Sequence, residues 1–171
     1  MVAPDSERGA PSVTVETPTS ADTDAIVDLW VDLARDQRRH GSSLRAETNR
    51  RVARETVGRH LVAGGVQVAR DDGLAGMVLY EPERGAFDRT VDRGVVTHLY
   101  VVPERRGEGI GSALLDAAEA DLRASGVEVV ALQAMADNEA ARDFYERRGY
   151  RAHRVEFEKE VESDILPRKD R

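Results

Sequence analysis

The chain has 171 residues, with 32 acidic against 25 basic side chains for a formal charge of −7, and no cysteine. Its length suits one domain with a sizeable single core, and its acidic balance argues against general nucleic-acid binding, which depends on clustered Lys and Arg. The missing cysteine excludes disulfides, thiolate metal sites and a cysteine nucleophile, and fits a reducing cytoplasm; no apolar run or leader pattern predicts a membrane span or a signal peptide.

Residues 1–11 have the small, charged and proline-rich composition of a loose tail. Residues 12–16 alternate polar and apolar positions as a strand, stopped by Pro18. Thr19-Ser-Ala-Asp22 has the form of a helix N-terminus. Ile26, Leu29, Trp30 and Leu33 then follow at helical spacing, predicting an amphipathic helix to about Arg39. A turn at 40–43 leads to a charged second helix over 44–63, with a thin apolar stripe of Val52, Val57 and Leu61.

Residues 66–70 and 74–80, joined by Asp71-Asp-Gly73, predict a β-hairpin. A polar connection, 82–93, precedes a β-branched strand at 95–102, ended by Pro103. A glycine turn opens a helix over 112–124 whose Ile110, Leu114, Ala118 and Leu122 line one face, with Gly126 placed to end it. A strand at 127–132, a short helix at 138–148 stopped by Gly149, and a last strand at 150–161 come next, before a charged tail at 162–171. Hairpins first and strand–helix–strand crossovers later predict one α/β domain over 12–161: a mixed sheet with helices on its faces.

The run from Arg105 through Gly111 is the chemically informative segment. A strand turning through Gly107, Gly109 and Gly111 into a helix exposes several backbone N–H groups at the positive end of a helix dipole, which suits a phosphate or diphosphate. A Walker-type loop requires Lys-Ser/Thr after the last glycine, and here Ser112-Ala113 stands instead. A dinucleotide fingerprint from Gly107 meets Ser112 in its final place and comes after roughly a hundred residues of chain, although Glu128 lies where a ribose-binding acid would.

Arg106-x-x-Gly109-x-Gly111 matches the Gln/Arg-x-x-Gly-x-Gly/Ala motif of the GNAT superfamily of acetyl-CoA-dependent N-acetyltransferases, and residues 95–115 closely resemble that family's core. A second family block stands at the expected distance, as Asn138-Glu-Ala-Ala-Arg-Asp-Phe-Tyr145 followed by Gly149 and Tyr150. The resemblance implies a central mixed sheet of six to seven strands flanked by about four helices. It implies acetyl-CoA as co-substrate without a metal, an amine acceptor and, as is common in the family, a homodimer.

Carried onto this chain, the resemblance places the pyrophosphate on the backbone of Arg106, Gly107, Glu108, Gly109, Ile110 and Gly111. The pantetheine arm would pair with Leu99, Tyr100 and Val101, the Val101 N–H would stabilise the oxyanion, and Asn138 would contact the cofactor while capping its helix. Tyr145 takes the family's general-acid position. Some members carry a glutamate base where Gln133 stands here. His98 is then the candidate base, with Glu81 weaker. The acceptor cleft would be walled by 37–44, which holds Arg38, Arg39 and His40, and by 81–93, which holds Glu83, Asp88 and Asp92. A different class of function, a catalytically idle acyl-CoA sensor or assembly module, shares the same turn.

Overall fold

The hairpin read from the sequence forms the middle of a five-stranded sheet in order β1-β2-β3-β4-β5. The computed structural model describes residues 13–85 and 89–161; Ser12, Asp88 and the two expected tails lie outside them. The strands are β1 Thr14–Glu16, β2 Val66–Arg70, β3 Leu74–Pro82, β4 Arg93–Val101 and β5 Val129–Leu132. The α-helices are α1 Thr23–Gln37, α2 Arg50–Ala63, α3 Ile110–Ala124 and α4 Glu139–Arg147. Pairing is antiparallel from β1 through β4, and β4 and β5 are parallel. The described residues fall into two compact units, one ending at Asp137 and one beginning at Asn138.

Side chains alternate across the sheet, so neighbouring residues serve different layers. Met77, Leu79 and Tyr100 pack with Ile26, Trp30 and Val31 of α1. On the other face, Gly76 and Gly94 lack side chains where Leu114 and Leu122 of α3 press against the sheet. Both helices bury the stripes that their periodicity marked. Burying each Leu, Ile or Val contributes about 1.5–3 kcal/mol, which outweighs the modest intrinsic helix propensities. The Thr19–Asp22 capping box forms as expected, and Gly126, at φ 89°, ends α3.

One polar cluster crosses the α3 layer. Tyr80 donates its hydroxyl hydrogen to Asp121, while Gln67 Nε2 donates to Asp121 Oδ2 and Thr17 Oγ1, each at 3.0 Å. Burial and the Asp121 carboxylate raise the Tyr80 pKa, so this phenol stays a donor.

The expected strand at 150–161 is corrected: these residues form no strand. Among the described residues the sheet therefore has five strands where six to seven were expected. Val155, Phe157 and Val161 do alternate, but they are 73%, 90% and 90% exposed. Alternation supplies an apolar face, and a strand also needs a neighbouring edge to pair its backbone. Among the described residues no helix is long and apolar enough to cross a membrane.

Gly65 is fixed by close approach. A Cβ there would lie 2.1 Å from the Tyr80 carbonyl oxygen. Gly65→Ala is expected to destabilise by about 3 kcal/mol, read as a lowered urea midpoint. Gly58→Ala, at an open site inside α2, should instead stabilise by about 0.5–1 kcal/mol.

Candidate active site

The site is built on β4, which outruns its parallel neighbour. β5 pairs only with Arg93, Gly94, Val95 and Val96. Beyond them, Leu79 faces His98 whereas Tyr80 faces Val96, so Thr97 is an extra residue in a β-bulge. Its hydroxyl donates to the Leu79 carbonyl at 3.2 Å. A bulge bends its strand and increases its twist, and this one falls where the pairing with β5 ends.

Register then assigns the backbone groups. The Val102 N–H donates to the Ala75 carbonyl at 2.9 Å. By antiparallel alternation, Tyr100 and His98 also aim their backbone groups at β3, while Leu99 and Val101 aim theirs at the open side. Of the expected pantetheine-pairing residues, Leu99 and Val101 thus present backbone to that side, whereas Tyr100 turns its backbone to β3 and its ring into the core.

The chain leaves β4 through a 3-10 turn, Pro103–Arg105, and enters α3 behind Gly109. Gly107 and Gly109 both have φ 82°, and a Cβ at either would meet nothing within 4 Å. No side chain caps the helix start. Arg105, Arg106 and Ala113 donate their N–H groups to the carbonyls of Val102, Pro103 and Gly109. Between them, among the described residues, the N–H groups of 107–112 have no hydrogen-bond partner. Unpartnered N–H groups at a helix start are what an anion site made from backbone dipoles requires.

The arginines at the turn are already engaged. Arg105 pairs with Glu108 at 2.8 Å and with Asp71 at 2.9 Å, so the acid that lies between Gly107 and Gly109 is neutralised locally. Arg106 reaches back to Val101, Asp36 and Tyr100. On the β1 side a cleft of about 490 Å³ borders Gly109, Ile110 and Val15.

His98 is half-buried on the α1 face, its ring 6.0 Å from that of Trp30 and its Nδ1 3.1 Å from Thr97 Oγ1. Burial, with a smaller contribution from His60, lowers its pKa to about 4. Gln133 and Glu81 are exposed. In the second unit, Asn138 caps α4 by accepting the Ala141 N–H at 3.1 Å. Tyr145 stacks edge-on with Phe144 and Tyr150, and burial raises its pKa. Asn138 and Tyr145 are seven residues apart, two helical turns, and share a side of α4. Among the described residues no cluster of three or more ligating side chains could hold a metal.

The sequence profile of the acetyltransferase (GNAT) family matches residues 23–150, most of the chain. The chain belongs to that family. N-alpha-acetyltransferase 30 of Schizosaccharomyces pombe is 39% identical over 61 residues, which cover 36% of this chain and 41% of that protein. Mycothiol acetyltransferase of Propionibacterium freudenreichii is 37% identical over 86 residues, covering 50% of this chain and 27% of that protein. The matches therefore span less than half the length of these relatives. An aminoglycoside N-acetyltransferase solved in complex with CoA shares the fold at TM-score 0.71 and 14% identity, over 90% of this chain and 97% of that one.

Unlike the glycine turn, the bulge at Thr97 and the roles of Asp36 and Asp71 left no mark that spacing could expose. Asp36 alone carries a weak signal, as an acid in the last turn of a helix, where the dipole disfavours it.

His98 also gives a pH signature. Its folded pKa of about 4 lies below the unfolded value of about 6.5, so the unfolded chain binds the proton more tightly. Stability is fully present above pH ~6.5 and falls as the pH drops towards ~4, by up to about 3 kcal/mol. His98→Gln is expected to lose that slope, which urea midpoints at pH 7 and pH 4.5 would measure.

Proposed function

We propose that the chain transfers the acetyl group of acetyl-CoA to a primary amine by direct attack in a ternary complex. The unpartnered N–H groups of 107–112, beside the open edge of β4, carry this reading. A diphosphate needs several donors, and dipoles that are already oriented require no reorganisation when it arrives. Glu108 does not oppose it, because Arg105 holds that carboxylate.

The pantetheine arm pairs with the Leu99 and Val101 backbone as an added strand would. The amine nitrogen attacks the thioester carbon, and the Val101 N–H receives the developing oxyanion. As the C–S bond breaks, Tyr145 donates its proton to the departing sulfur; its raised pKa keeps it protonated at neutral pH. Asn138, on the same side of α4, contacts the cofactor.

The amine must lose a proton, which for an ordinary ammonium costs about 4–5 kcal/mol at pH 7. His98 is neutral there and offers a lone pair. With so low a proton affinity it passes the proton onward rather than holding it.

Glu83 of one expected acceptor wall is matched by Arg89 and Arg93, at 2.9 and 3.1 Å. Arg38 of the other wall, and Glu81 and Asp92 on the same wall as Glu83, are exposed and have no ion-pair partner among the described residues. Free charge of both signs borders the acceptor side, so amines with and without a carboxylate both belong in the first assays.

Thiol release from acetyl-CoA across a panel of amines tests the activity; CoA binding without turnover on any amine would favour the idle module. Tyr145→Phe is expected to lower kcat at least tenfold while CoA affinity changes less than twofold. Gly109→Glu should do the reverse, weakening CoA binding at least tenfold, because it places a charged side chain at the diphosphate site on a backbone with φ 82°. Undiminished CoA binding by that variant would remove the turn from the site.

A further inference from the structure

The Arg106 guanidinium uses its edges on the protein. Nε donates to the Val101 carbonyl at 3.0 Å and NH2 donates to Asp36 Oδ2 at 3.0 Å. The group also lies 5.4 Å from the centre of the Tyr100 ring. Asp36 sits in the last turn of α1, its side chain only 22% exposed, with a longer contact of 3.3 Å to Arg39. An acid at a helix C-terminus opposes the macrodipole, so local helix energetics do not account for it. The tertiary contact does.

We propose that Asp36 is a positioning residue for the donor substrate. It holds Arg106 across the Val101 carbonyl and thereby sets the distance between the open edge of β4 and the N–H groups of 107–112. Arg106 is then a brace and not a ligand of the diphosphate, whose charge is met by backbone dipoles. The brace also takes one of the two lone pairs of the Val101 carbonyl. Since α1 leads directly into 37–44, the same carboxylate ties the donor side to the proposed acceptor wall. This inference rests on the reading that CoA lies along β4 and the turn.

Two measurements test it: calorimetric CoA binding, and hydrogen exchange of the ligand-free protein at the bonded amides of Arg105 and Arg106. Asp36→Ala and Arg106→Ala are each expected to weaken CoA binding by about 5–10-fold, with the double variant no worse than the weaker-binding single. Asp36→Ala should speed exchange at Arg105 and Arg106 but not at Val78 in β3, and Asp36→Glu should restore both readouts. Asp32→Ala, one turn earlier on α1 and paired to Arg35, should change neither. Additive losses, unchanged binding, or tighter binding by Asp36→Ala through a released Arg106 would each overturn the brace. If the unaltered protein does not bind CoA, the proposed function fails, and the exchange rates still decide whether Asp36 orders the turn.

Discussion

Backbone hydrogen bonds must be made somewhere, and in this protein β4 leaves a defined few unmade. Its β3 side is laddered before and after the Thr97 bulge, while its other side is laddered only as far as Val96. The Thr97 bulge bends the strand where the parallel partner stops. Past the bulge runs a short length of strand edge, Leu99 to Val101, held rigid by one neighbour and open to a ligand on the other side. The glycine turn extends this open edge, because it adds the unpartnered N–H groups of 107–112 at the start of a helix.

An acidic chain of net charge −7 has reason to bind an anion through dipoles. Side-chain cations would be screened by salt and drawn to the many neighbouring carboxylates. Arg105 and Arg106 show this directly, each held by acids from distant parts of the sequence: Asp71 in the hairpin turn and Asp36 in α1. The charges thus shape the turn while the amides face outward. Rigid layers on both faces, α1 with α2 on one and α3 on the other, keep the site from relaxing.

Much of this was legible in the sequence, for specific reasons. The stripes of α1 and α3 repeat every three or four residues because one face of each must leave water. The Thr19–Asp22 box and the Asn138 cap are local hydrogen bonds spanning three residues, so spacing alone reveals them. Residues 150–161 misled because alternation reports an apolar face and says nothing about whether an edge is available. Thr97 was invisible as a bulge, since one extra residue in a strand changes pairing and not composition.

By itself, the sequence determined the element order around the turn, the motif that marks the GNAT family, and the donor chemistry that motif implies. All of these depend on residues close together in the chain, where φ/ψ freedom, capping and periodicity act. The tertiary structure decided that Leu99 and Val101, and not Tyr100, face the open side. It also decided that Arg106 is spent on Asp36 and Val101, and that burial lowers the His98 pKa to about 4. Each of those depends on which distant element lies alongside, through strand register, a salt bridge across 70 positions, or desolvation under α1.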